Sequence, residues 1–146
     1  MKEEKKWETI ISKYQDLFIN ISKSPKESCM AWSIECNIGW HDIISSVCYR
    51  IIQYEKNNKY HTERKQKKDP SYQSDYYPVT FDQIKEKWGG LRIYYIGGDD
   101  YIRGVIDMAE EMSYNICERC GCPGSPNKHG WIMTLCNNCR EDLVKG

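Results

Sequence analysis

Four cysteines carry the clearest chemistry in the sequence. Cys117-x2-Cys120 and Cys136-x2-Cys139 are two tight pairs separated by fifteen residues, the spacing at which four thiolates close a tetrahedron around one zinc ion. Each pair sets its sulfurs on a single turn, and Gly121, directly after Cys120, lets the backbone reverse without a Cβ clash. A redox dithiol is the competing reading of either C-x2-C, but two pairs at ligand spacing favour shared coordination. An all-cysteine site is coordinatively closed, so such a metal supports structure and activates no water. Cys122 is the odd member, either a spare ligand or a small residue beside the knuckle. His129 lies between the pairs without a second histidine nearby, too little for a catalytic ion.

The other thiols are less organised. Cys29, Cys36, His41 and Cys48, with distant His61, lack the paired turn that preorganises ligands, and Cys48 falls on an apolar helical stripe. No orienting group or oxyanion donor marks Cys36 and His41 as a nucleophile and base. Eight cysteines would suit a secreted scaffold, but MKEEKKWETIISKYQ is charged and amphipathic, without the apolar block of an export signal. The expectation is a cytoplasmic protein with reduced thiols and no membrane span.

The 21 basic and 21 acidic residues cancel, which removes any global attraction to nucleic acid or anionic lipid. The local exception is 56–68, with six Lys or Arg against one Glu. There Arg64, Lys65, Lys67 and Lys68, near Tyr60, Tyr72, Tyr76 and Tyr77, suit phosphates and bases, the alternative nucleic-acid reading. A solvated helix extension or loop explains the same run. The metal module carries little positive charge of its own: Arg119, Lys128, Arg140 and Lys145 against Glu118, Glu141 and Asp142.

The elements that must position these groups follow from periodicity. Trp7, Ile10, Ile11, Tyr14, Leu17 and Phe18 predict a helix over 4–19, and Trp40, Ile43, Ile44, Val47, Cys48 and Ile51 another over 40–54. Between them CMAWSIE allows a short strand. Thr80 and Gln83 read as a capping box for a short helix facing Phe81, Ile84 and Trp88 inward, stopped by Gly89-Gly90. LRIYYI, 91–96, is the best strand, and Asp99 or Asp100 caps a helix over 101–115 with Ile102, Val105, Ile106, Ala109, Met112 and Tyr114 inward. A hairpin over 122–135, with WIMTL as a strand, and a last helix starting at Cys136 complete a treble-clef-like module. The fold expected is α+β: a body over 1–116 with a polar insertion near 56–78, and a zinc module over 117–146. Arg92 and Tyr94 on the polar side of the strand, with Asp99, Asp100 and Arg103 near its exit, form the candidate surface for a ligand or partner.

FDQIKEKWGGLRIYYIGGDDYIRGVIDMAEEMSYNICERCGCPG, with WIMTLCNNC after it, resembles a family of small uncharacterised proteins from bacteria and their phages. The shared pattern is Q-x-K-E-K-[FW]-G-x-L-R-x-Y-Y, then A-E-x-x-S, then C-x2-C-G-x-P-G and T-L-C. Here it falls on Gln83, Lys85, Glu86, Lys87, Trp88, Gly89, Leu91, Arg92, Tyr94 and Tyr95, on Ala109, Glu110 and Ser113, and on the cysteines. ECNIGWHDII resembles an E-C-G-x-G-W segment of the family, with Asn37 where a glycine is expected. The resemblance supports the fold and the metal and supplies no established activity. A phage-associated protein of this kind implies an inhibitor or sequestering protein, its partner a host defence protein or a small signalling ligand.

Overall fold

The computed structural model describes residues 2–145, with side chains from residue 6. Helix α1 spans Lys2–Lys13, and the chain then tightens into a 3-10 helix, Gln15–Ser22, kinked at Phe18. The helix predicted over 4–19 is therefore two pieces, although Trp7, Ile10, Tyr14, Leu17 and Phe18 are all buried as the stripe requires. A second 3-10 turn, Cys29–Trp32, precedes a two-residue strand β1, Ile34–Glu35. Only the end of CMAWSIE is extended.

Helix α2 runs from His41 to Lys68, well beyond the predicted end at 54. Its first half buries Ile43, Ile44, Val47, Cys48 and Ile51, and its second half is the solvated extension, almost wholly exposed. Strand β2, Thr80–Lys87, replaces the short helix expected there, and it pairs antiparallel with β3, Gly90–Ile96. The misreading has a physical origin. A bulge between Phe81 and Gln83 inserts one residue, so Phe81 opposite Tyr95 and Ile84 opposite Ile93 share a face at helical spacing. Trp88 and Gly89 form the connecting turn with φ of 55° and 82°, both left-handed as in a type I′ hairpin. Trp88 is 70% exposed, so the inward face expected for it is also corrected.

The three-stranded sheet has the order β1-β2-β3, with β1 parallel to β2. One face carries Phe81, Ile84, Leu91 and Ile93 into the core with Trp40, Phe18, Leu17 and Ile51. On the other, Gln83, Lys85, Lys87, Arg92, Tyr94 and Ile96 are half-buried or exposed. Helix α3, Asp100–Ser113, is capped by Asp99, whose carboxylate accepts the Ile102 N–H. It buries Ile102, Ile106, Ala109 and Ser113, whereas Val105 and Tyr114 are half-buried and Met112 is exposed, which corrects the inward face predicted for those three.

Helix α3 also closes the free edge of β3. The Leu91 N–H donates to Ser113 Oγ at 2.9 Å and the Ile93 N–H to Glu110 Oε2 at 2.8 Å, so two edge donors are removed from solvent. The chain ends with a two-stranded ribbon, β4 Ser125–Pro126 and β5 Thr134–Leu135, and helix α4, Asn137–Lys145. The strand predicted over 131–135 is confined to its last two residues, and Trp131 is exposed. Among the described residues no helix is long and apolar enough to cross a membrane.

Candidate metal centre and its surroundings

The chain builds the thiol cluster from two local structures. Cys117 to Gly121 form a knuckle in which the Gly121 N–H returns to the Cys117 carbonyl at 2.9 Å, with Gly121 at φ 83°. Cys136 immediately precedes α4 and Cys139 lies in its first turn, and the Cys139 N–H points to Cys136 Sγ at 3.4 Å. The four sulfurs of Cys117, Cys120, Cys136 and Cys139 lie within 4.8 Å of one another, and Cys120 and Cys136 are 3.7 Å apart. Sulfurs about 2.3 Å from a common ion at tetrahedral angles stand about 3.8 Å from each other, whereas a disulfide requires about 2.05 Å. The geometry is that of a metal-binding site.

Its electrostatics agree. Burial opposes ionisation of Cys117, yet the backbone N–H groups of Cys136, Cys120 and Arg119 and the Cys120 thiol outweigh it, bringing its pKa from 9.0 down to about 6. Cys139 is pushed up to about 12, first by the Cys136 thiol, then by burial and by Cys120 and Cys117. One thiolate forms readily and its neighbours resist the next, so the full set of four needs a cation among them. Cys122 is exposed and outside the cluster; its carbonyl accepts the Cys117 N–H at 2.7 Å. His129 sits in the exposed loop at the tip of the ribbon.

The cluster is wedged into the body. Asn37, Gly39 and Trp40 form a cradle under the knuckle: the Gly39 N–H donates to the Glu118 carbonyl at 2.7 Å, the Asn37 N–H to Glu118 Oε2 at 3.0 Å, and Trp40 Nε1 to the Ile116 carbonyl at 2.9 Å. From the other side Thr134 Oγ1, fully buried, donates to the Gly89 carbonyl at 2.6 Å, joining β5 to the β2–β3 turn. Periodicity carries no trace of these contacts. Their only sequence signal is that Gly39-Trp40 and Gly89 fall in the segments that carry the family resemblance.

The remaining thiols are inert. Burial, with Glu118 and Glu86 adding to it, raises the Cys36 pKa far above the usual thiol range, and burial pushes Cys48 up to about 12. His41 packs against Trp7 at 5.8 Å and contacts Asp42. Neither cysteine has the lowered pKa of a nucleophile.

The five residues of the candidate partner surface separate into two places. Arg92 and Tyr94 share the open sheet face with Lys85, whose amine lies 5.9 Å from the centre of the Tyr94 ring. Arg92 donates to its neighbour's Leu91 carbonyl at 2.8 Å and to the Tyr114 hydroxyl at 2.7 Å, which fixes its plane and leaves three guanidinium donors. Asp99 is occupied at the α3 cap, where it also accepts from the Tyr54 hydroxyl, and Asp100 and Arg103 are exposed in the first turn of α3. On the exposed end of α2, Arg64 stands 5.8 Å from the Tyr60 ring and Lys65 5.0 Å from that of Tyr72; Lys67 and Lys68 are solvated. The chain matches no protein-family model, no curated protein and no solved structure.

Proposed function

We propose that the protein is a noncatalytic interaction protein whose zinc module is a structural support and whose open sheet face holds the partner. The supporting observation is the surface beside the metal centre. Trp88 is 70% exposed and Trp131 80% exposed, and Gly89, next to Trp88, contacts Ile132, next to Trp131. Arg92, Tyr94, Lys85 and Lys87 continue this strip along the sheet. Aromatic rings and arginine are the side chains that supply most binding energy at interfaces. Zinc is the ion assigned to the cluster, because four thiolates at tetrahedral spacing suit it and leave no position for a substrate.

The family resemblance directs the search for a partner toward a host defence component, a protein or a small signalling ligand. Affinity capture from host lysate with the Arg92→Ala, Tyr94→Ala double variant tests the reading. The parent should retain its partner stoichiometrically and unconverted, and the variant should lose it while keeping its metal. Turnover of a retained molecule by the parent would refute the noncatalytic assignment. The alternative, nucleic-acid binding through the end of α2, draws support from the rings beside Arg64 and Lys65. Neutralising Arg64, Lys65, Lys67 and Lys68 should then flatten the salt dependence of binding by up to about one phosphate contact per cation. No association of the parent with DNA or RNA at low salt would remove it.

A further inference from the structure

Gly104 stands in the middle of α3 with nothing within 4 Å of the place a Cβ would occupy. A glycine inside a helix costs about 1 kcal/mol relative to alanine, and no positive φ or close internal contact requires one here. What the missing side chain leaves open is space on the outside. Gly104 lines a groove of about 660 Å³ between α2 and α3, with Ile43, Val47, Val105, Met108 and Met112 among its walls. Met108 is 61% exposed and Met112 48% exposed. Flexible apolar side chains around a strip of bare helix backbone suit close approach by another helix.

The charges beside the groove identify that helix. Trp40 Nε1 reaches the Ile116 carbonyl and the Tyr54 hydroxyl reaches Asp99, so α2 and α3 run antiparallel. Arg50 and Arg103 therefore lie toward one end of the groove, and Asp42, Asp107 and Glu111 toward the other. Among the described residues the only ion pair is His41 with Asp42, which leaves Arg50, Arg103, Asp107 and Glu111 without one. Asp100 is the one acid at the cationic end, in the first turn of α3, where the helix dipole favours it. A surface with cations at one end and anions at the other complements itself when turned end for end.

We infer that a second copy of this chain covers the groove, as a two-fold dimer in which the α3 helices cross antiparallel at Gly104. That arrangement sets Arg103 toward the partner's Asp107 and Arg50 toward the partner's Asp42, each contact occurring twice as an isologous interface demands. A parallel crossing would oppose like charges.

Sedimentation equilibrium of the metal-loaded full chain tests this. The parent should be a dimer that dissociates on dilution. Gly104→Gln favours the helix and places a side chain over the crossing, so it should be monomeric at concentrations where the parent is dimeric. Its melting temperature, measured below the dissociation range, should be no lower than the parent's. Arg103→Asp should weaken association about tenfold, from two repelling contacts of roughly 0.7 kcal/mol each, and adding Asp107→Arg should restore it. A parent that stays monomeric at every concentration, or a dimer unchanged by Gly104→Gln, would overturn the proposal; failure of the charge exchange to restore association would overturn the antiparallel crossing.

Discussion

Gly39 donates its N–H to the carbonyl of Glu118 at 2.7 Å, so close that a Cβ on Gly39 would strike the carbonyls of Cys117 and Glu118. Its φ is not left-handed, so conformational freedom is not the reason for glycine here; proximity is. The loop before α2 and the metal knuckle are thereby one packed unit, and the metal holds more than the chain terminus. Gly39→Ala should cost about 2 kcal/mol or more, because the obstructing atoms are backbone and cannot rotate away. Thermal unfolding together with metal content checks this: the variant should melt lower and release metal more readily to a chelator. An unchanged melt would mean that the knuckle moves freely away from the loop.

The two cysteines most easily confused by spacing are separated by geometry. Cys136→Ser should abolish stoichiometric metal and unfold the segment after Ile116, since ligand binding and folding are one process, worth about 10–16 kcal/mol in small zinc modules. Cys122→Ser should keep the metal, because Cys122 contributes a backbone carbonyl and lies outside the cluster. Elemental analysis of both purified variants decides it, and equal metal loss would bring Cys122 into the coordination sphere.

Glu110 predicts a pH dependence. Burial raises its pKa from 4.5, with the Ile93 N–H and Arg92 pulling it down and Asp107 adding to the rise. A carboxyl with a raised folded pKa binds its proton more readily folded than unfolded, so its contribution to stability falls as pH rises from the ordinary carboxylate range through the folded pKa. Glu110→Gln keeps an oxygen for the Ile93 N–H and removes the titration. The variant should melt above the parent near neutral pH, with the gap narrowing toward about pH 5. Glu110→Ala leaves that edge N–H unpaired and should lose about 1–2 kcal/mol across the range. Parallel pH profiles for the parent and the glutamine variant would contradict the assignment.

What could be read from the sequence divides along a physical line. The metal ligands are legible because coordination demands residue type and spacing together, and α3 because its cap and most of its apolar stripe lie within one segment. β2 is hidden because TFDQIKEK is rich in helix-forming residues and its bulge imitates a helical period. The bulge is satisfied from 61 residues away, where Asn20 Nδ2 donates to the Phe81 carbonyl at 3.0 Å, a contact no local window contains. The end of α2 is hidden for the opposite reason: once its apolar stripe stops, only helix propensity and continuity carry it to Lys68. The candidate surface divided because Arg92 and Asp99, seven positions apart, lie at opposite ends of β3 and its exit turn.

Trp88 joins the turn to the proposed partner surface. At φ 55° it occupies the left-handed region, which costs a residue with a side chain about 1–2 kcal/mol, and at 70% exposure its ring recovers little of this by burial. A type I′ turn is served better by glycine or asparagine at that position. Trp88→Gly should therefore stabilise the isolated protein by about 1 kcal/mol, or roughly 2–4 °C in melting temperature for a chain of this size. The same change removes a large ring from the strip that Trp131, Lys87 and Tyr94 share, so partner retention in the capture experiment should fall while metal content stays constant. Stability gained with retention unchanged would place the interface elsewhere. Stability lost by more than about 1 kcal/mol would show that the ring packs on the body, and the strained tryptophan would then be part of the fold itself.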